Sequence, residues 1–492
     1  MTSRLPDTYA DWDATALTAA LRSKVLSVGE ALDEHLSRLD RFSDLNAIVA
    51  RQDPKILSEE AELAQARYNR SSASVLEGVP MTVKDTIAVA GLPLSAGSKL
   101  LKSHRASWDA AVVSQMRQGG ALVIGKSNCP EFGFGIGCSN DLFGTTSNPL
   151  DKCLSPGGSS GGEAASVAAG ISLVGIGTDY GGSLRWPAQC TGILALRPTP
   201  GRLRGNGQLI GEGAHGLDGN ATFPNNSLQG EIQVPGFLAR SVSDLEKALF
   251  EAQRLVRKSA TTSYQPGTSS EIELEAVSIG WSDGANIGLV GDDVAMMMGG
   301  LADSLVNDRL KLFHVPDAFS GAREAFDELR SFEELADLRN LAHSQESELT
   351  PAMRNIVQNP PRSREYFAQA QALARRRRAD GLVQLRSTPL FLLPVAGSGA
   401  IGHDETATIK GAKVGGFELM AHCRAISLLA VPVVSIPAGK SKDGMPLSVQ
   451  VIAPPFAEYL ALALAQRIES LMGGWQKAPG TRRVLSRNDL DQ

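Results

Sequence analysis

From Gly78 onward, short Val/Ile/Leu runs alternate with helix-like stretches, and no other feature restricts the fold as strongly. The runs VPMTVKD, GALVIG and ISLVGIGTD are nearly continuous in apolar residues, whereas a strand with one wet face would alternate apolar and polar positions. They are separated by WDAAVVSQMRQG and EAASVAAG, which read as helices. Strands buried on both faces and joined through helices define an α/β core. PLFLLPVA, LLAVPVVSIPAG and PLSVQVIA predict further strands, AEYLALALAQRIESLM predicts a closing helix, and residues 320–385 predict two charge-rich helical stretches. Ahead of the core, Asp13 to Arg70 carries Leu and Ala at three- and four-residue intervals, which predicts a helical arm over residues 1–72 that packs on the core without chemistry of its own. Neither an internal repeat nor a linker divides the 492 residues.

Composition then removes several classes. A net charge of −5, spread through the chain, offers no basic face to a phosphate backbone, so no nucleic-acid partner is expected. The run Arg375 to Arg378 follows the helix-like EYFAQAQAL and reads as a solvated helix end. Five cysteines (Cys129, Cys138, Cys153, Cys190, Cys423), an odd number without a C-x-x-C pair or a zinc-like His spacing, predict reduced thiols in the cytoplasm and no metal. MTSRLPDTYADWD lacks the apolar core of a secretory signal, and no apolar run approaches the ~20 residues that span a bilayer. Residues 204–236 are rich in Gly and Asn without periodicity, the texture of a flap or surface excursion. After them, Ser243 and Glu246 form an S-x-x-E capping box ahead of an apolar stripe at Leu245, Ala248, Leu249, Ala252 and Val256.

Two motifs fail on context. GALVIGKS, residues 120–127, satisfies G-x-x-x-x-G-K-[ST], but a phosphate loop follows a strand and opens a helix. Here a helix-like segment precedes Gly120 and the variable positions are themselves a buried strand, so the geometry is inverted. Gly157 to Gly161 fits G-x-S-x-G, yet the polar, Pro-interrupted SNPLDKCLSP stands where that elbow requires a strand. His215, His314, His343, His403 and His422 lie downstream, none in a stretch that marks it as a base.

The glycines and serines are better explained together. In SPGGSSGGEAASVAAGISLVGIGTDYGGSLRWP, residues 155–187, two Gly-Ser clusters flank a small-residue helix and a buried strand, so both sets of hydroxyls can meet at one end of that pair. Consecutive flexible residues before Ser183 can aim several backbone N–H groups into one concavity, as an anion hole or as a plain tight turn. A serine there needs a base, and Lys84 ends the short apolar strand GVPMTVKD. Burial disfavours the ammonium form, so such a Lys can serve as a general base; a salt-bridged strand end is the alternative.

In the order of these blocks, the chain resembles the amidase signature family of Ser-Ser-Lys amide hydrolases. Lys84 in GVPMTVKD, the block SPGGSSGGEAASVAAG and the block GTDYGGSLRWPAQCTG carry the likeness, and GALVIGKSNCPEFGFG resembles the scaffold strand and pocket wall between them. The likeness is specific over residues 78–203, recognisable at VPGFLARSVSDLE and PLSVQVIAPPFAE, and less typical over 204–236 and 260–415.

The resemblance implies an α/β fold in which one large domain, residues 1–492, holds a mixed β-sheet core covered by helices. It implies that Ser183 is the nucleophile, and that Ser159, held by a cis peptide after Gly158, bridges it to neutral Lys84. The oxyanion would sit on the backbone N–H groups of Tyr180, Gly181, Gly182 and Ser183. Arg185 would contact an acidic substrate or pair with a structural carboxylate, Asp179 and Asp85 would orient neighbours, and Cys129 and Cys138 would lie near the pocket wall. No cofactor or metal is implied. The partner is a small-molecule amide, small or aryl, with hydrazides and esters as further substrates. The amidase subunit of a glutamine-dependent tRNA amidotransferase, and a non-catalytic binding protein on this fold, are the competing readings. Oligomeric state stays open, with a homodimer as the default.

Overall fold

Apolar runs that cannot face water pair edge to edge, and they form the interior of one mixed sheet of eleven strands in the computed structural model. It describes residues 12–209, 228–253, 269–333, 335–359 and 362–476. In chain order the sheet strands are β1 (Ile48–Arg51), β2 (Pro80–Lys84), β3 (Leu122–Ser127), β4 (Val174–Asp179), β5 (Leu194–Arg197), β6 (Val234–Ala239), β7 (Ser278–Trp281), β8 (Lys311–His314), β9 (Leu390–Pro394), β10 (Val433–Lys440) and β11 (Pro446–Ile452). They are arranged in the order β1-β3-β2-β4-β6-β5-β10-β11-β9-β7-β8. Every residue of β2, β3, β4, β5 and β6 is buried, as continuous apolar runs require.

Strands β3, β2 and β4 run parallel, with Lys84 opposite Ser127 and Val83 opposite Ile176. Parallel neighbours end on the same side of a sheet, so Lys84 at the end of β2 and Thr178–Asp179 at the end of β4 come together there. The helix Gly161–Ala169, buried at all nine positions, packs on these strands. A side chain at Gly162 would lie 2.5 Å from the backbone nitrogen of Asn128, so only glycine permits that approach.

Three sequence expectations are corrected. The N-terminal arm is helical at Ala14–Arg22, Val28–Arg41 and Pro54–Asn69, but β1 intervenes and forms an edge of the sheet, antiparallel to β3. Only half-buried, it lacks the apolar run that marks the inner strands. The helix expected to be capped at Ser243 spans Val242–Ala252 and is capped two residues earlier, where Ser241 accepts from the Asp244 N–H. Ser243 lies inside it, Glu246 instead accepts from Ser269, and Val256 falls outside the described residues. Asp244 binds the N–H groups of Ala14 and Thr15 at 2.8 and 2.9 Å, which fastens the arm. The arginine run sits in mid-helix, within Phe367–Ser387, because Ala, Leu and Arg continue a helix well and nothing stops it there. Arg378 donates to the Leu428 carbonyl and pairs with Glu231.

Most of the 204–236 excursion, and the N-terminal stretch through residue 11, lie outside the described residues; Leu228–Ile232 is a short helix that leads into β6. Among the described residues no helix is long and apolar enough to cross a membrane.

Candidate active site

Lys84 is fully buried at the end of β2. Its Nζ lies 2.7 Å from Ser159 Oγ and 2.8 Å from Thr178 Oγ1. Burial pushes the ammonium down to about 8, against the pull of Cys129, Cys138, Asp179 and Glu163, so a substantial neutral fraction exists near pH 7–8. Thr178 did not stand out in the sequence, because a threonine near a strand end reads as an ordinary β-former.

Ser159 owes its position to the glycines before it. Gly157 has φ +78°, and a side chain there would lie 2.8 Å from the Pro187 Cα; one at Gly158 would overlap the Gly137 carbonyl. The Gly158–Ser159 peptide is cis. The next residue ties the two Gly-Ser clusters together, since the Ser160 N–H donates to the Ser183 carbonyl at 3.1 Å. Ser160 Oγ also donates to the Thr178 carbonyl at 3.2 Å.

The turn carrying Ser183 is built around Asp179. Its carboxylate accepts from the N–H of Gly182 at 3.0 Å and of Leu184 at 3.1 Å. Burial alone would raise this carboxyl, but Arg185 and Arg197 beside it prevail and hold it well below the usual range. Gly182 has φ +126°, and a side chain there would lie 2.7 Å from Cys423 Cβ. Of the four N–H groups expected to face an oxyanion, that of Gly182 is therefore occupied by Asp179. Those of Tyr180, Gly181 and Ser183 donate to no described residue.

Arg185 is not among the residues that line the cleft holding Ser159 and Ser183. It is fully buried and spends its five N–H groups on Asp179 twice, the Cys423 carbonyl, Gln450 and Ser427. No donor is left over, so its role is to hold Asp179 and thereby the turn.

Ser159 and Ser183 open into one cleft of about 660 Å³, its mouth included. The cleft is lined by Phe132, Gly133, Phe134 and Gly135 from the loop after β3, by Tyr180 and Gly181 beside Ser183, and by Phe326, Arg330, Phe417, Met420 and Arg424 from later in the chain. The Tyr180 hydroxyl donates to Glu333 at 2.8 Å, and the Gln229 N–H donates to the same oxygen at 2.7 Å. No described histidine lines the cleft. His422 is buried 3.0 Å from the Gly284 carbonyl, and His215 lies outside the described residues. Lys126 of the phosphate-loop pattern is fully buried, donates to the carbonyls of Ile87 and Pro93, and lies 3.4 Å from Asp85, which leaves it nothing to offer a nucleotide. Asp85 also accepts from Ser95, and so braces the loop after β2. Cys129 and Cys138 are buried behind the Lys84 end of the cleft, where burial raises both thiols.

The amidase family model matches residues 30–462, and the chain belongs to that family of amide hydrolases, the amidase signature enzymes. Among individual relatives, indoleacetamide hydrolase of Bradyrhizobium diazoefficiens is 37% identical over 239 residues, 48% of this chain and 44% of that protein. A glutamyl-tRNA(Gln) amidotransferase subunit of Chromohalobacter salexigens is 29% identical over 500 residues, 95% of this chain and 98% of the relative. The chain spans less than two thirds of the length of the more identical curated relatives it matches. A crystal structure of an amidase superposes with a TM-score of 0.80 at 25% identity, over 94% of this chain and all of that one.

Proposed function

We propose that this chain hydrolyses a small or aryl carboxylic amide through an acyl-enzyme on Ser183. The observation that carries the reading is the 2.7 Å contact between Ser159 Oγ and a fully buried Lys84 whose ammonium is pushed down to about 8. In the neutral state the Lys84 lone pair accepts the Ser159 O–H, and Ser159 in turn accepts the proton of Ser183. As Ser183 Oγ bonds to the amide carbon, its proton moves to Ser159 and that of Ser159 moves to Lys84. The carbonyl oxygen becomes an oxyanion, received by the free N–H groups of Tyr180, Gly181 and Ser183. When the C–N bond breaks, the proton returns through Ser159 to the departing nitrogen, and a water then cleaves the Ser183 ester by the same route. Hydrazides and esters fit the same chemistry, because the acyl-enzyme does not depend on which group departs. The five free thiols, four buried and Cys153 exposed, suit a reducing compartment, the cytoplasm.

The test is release of amine or ammonia by the purified chain from aryl, aliphatic and amino-acid amides, beside Ser183→Ala. Release that vanishes in the variant is expected; equal release from both proteins would overturn the assignment of Ser183. The near full-length match to an amidotransferase subunit supports a second reading, an amidase that feeds ammonia to partner chains. That reading requires glutaminase activity that appears only when partners co-purify.

A further inference from the structure

We infer that Arg330 makes this cleft selective for amides that carry a carboxylate, an inference that rests on the amidase reading above. Arg330 ends the helix Ala322–Arg330 and lines the cleft that contains Ser159 and Ser183. Its guanidinium carbon lies over the Phe417 ring, 4.7 Å from the centroid, and the side chain is half-buried. Its side chain forms neither a hydrogen bond nor an ion pair with a described residue. The other arginine of the cleft, Arg424, is in the opposite condition: Asp327 pairs with it at 2.8 Å and the Phe417 carbonyl accepts from it.

The charge balance of the wall points the same way. Among the described residues, two arginines and no aspartate or glutamate line the cleft. Glu333 is the carboxyl that interacts with Arg330, but it already accepts from the Tyr180 hydroxyl and the Gln229 N–H, and burial raises it toward its neutral form. Arg330 is thus left without an ion-pair partner among the described residues, in a partly desolvated place where pairing is worth more than at an open surface. Stacking on Phe417 holds the guanidinium plane and leaves its edge to meet the two oxygens of a carboxylate. Phe132, Phe326 and Met420 on the same cleft suit an apolar or aromatic body. Gln229 also lines the cleft; it is 6% exposed, its Nε2 donates to Gln233 at 2.6 Å, and its Oε1 is buried without a partner.

The test uses matched pairs that differ in the carboxylate. 4-Acetamidobenzoate against 4-methylacetanilide places it on the amine side, and succinanilate against butyranilide places it on the acyl side. Binding is read by calorimetry on Ser183→Ala, so turnover does not enter. In at least one pair the carboxylate member is expected to bind about 10- to 100-fold more tightly, the range for one charge-assisted bond, and the pair that shows it identifies the side. The preference is expected to collapse when Arg330→Met is added and to survive in part with Arg330→Lys, which keeps the charge without the planar fork. Equal affinities within both pairs, no binding by either carboxylate, or a preference that persists in Arg330→Met would each overturn the inference. Ser183-dependent amine release without carboxylate preference removes this inference and keeps the amidase reading. Carboxylate-selective binding, with no Ser183-dependent release from either pair or from the wider amide panel, does the reverse.

Discussion

Replacing Lys84 by methionine separates what this residue costs the fold from what it does for the site. An ordinary lysine titrates near 10.5, and burial moves this one to about 8. At ~1.4 kcal/mol per unit, the shift corresponds to roughly 3 kcal/mol against the charged form in the folded chain. The same shift raises the neutral fraction at pH 7 from roughly 0.03% to roughly 10%, a gain of about 300-fold in competent base. Two measurements follow. Labelling of Ser183 by a fluorophosphonate, which needs no knowledge of the substrate, is expected to rise about tenfold per pH unit below ~8 and to level off above ~9. In Lys84→Met it is expected to fall by at least ~100-fold at every pH. The stability difference has a definite sign. Between about 8 and 10.5 the unfolded chain holds a proton on Lys84 that the folded chain has released, so folding stability gains with rising pH. Measured by urea unfolding as wild type minus Lys84→Met, that gain approaches roughly 3 kcal/mol over the window. Labelling that is flat from pH 6 to 10, a limb near the ordinary histidine value, or a difference that falls with pH would refute the argument.

Three further outcomes are expected. Thr178→Val keeps the shape but removes a hydroxyl that accepts from Lys84 at 2.8 Å; losing that support for the ammonium should move the limb of the labelling profile below 8, and an upward shift would count against it. Arg185→Met leaves Asp179 without its main partner in the interior, so chemical denaturation should show a loss of about 3–5 kcal/mol, whereas a purely substrate-binding arginine would leave the unfolding curve in place. His35 and His422 are held neutral by burial, which lowers them to about 3 and about 4, and the unfolded chain binds their protons from about 6.5 downward; because Glu163 and Asp244, raised by burial to about 7, act in the opposite sense over the same window, the test is the urea stability of wild type minus that of His35→Gln/His422→Gln, which should fall from pH 7 to pH 5, and a constant difference would refute the assignment.

What was legible in the sequence depended on backbone contact. Gly157, Gly158, Gly162 and Gly182 stand where a side chain would strike neighbouring atoms, so the spacing of Gly and Ser carried the site's geometry into the sequence. Lys84 was legible because a charged residue ending an apolar strand must be either paired or perturbed. Less could be read where a residue's meaning comes from distant chain. Thr178 matters only because β2 places Lys84 beside it, and Arg330 only because Phe417 and the Ser183 turn share its cleft. The oxyanion donors illustrate the same limit, for nothing local tells that the Gly182 N–H is committed to Asp179. At the helix Val242–Ala252, Ser241 and Ser243 both precede an acidic residue at the capping interval, and packing against the N-terminal arm chose between them.

The bond from the Ser160 N–H to the Ser183 carbonyl couples the loop of the proposed relay serine, Ser159, to the turn of the proposed nucleophile, Ser183. Of the residues that line the same cleft, Phe326, Arg330 and Phe417 belong to segments that share no backbone with that turn, whereas the helix Ala421–Leu428 is tied to it through the bonds of Arg185 to the Cys423 carbonyl and Ser427. Natural variation or laboratory selection can therefore exchange Phe326, Arg330 and Phe417 to admit a different amide with less disturbance of the Ser183 turn than changes in that helix would cause, which makes those three positions the place to aim a mutagenic library.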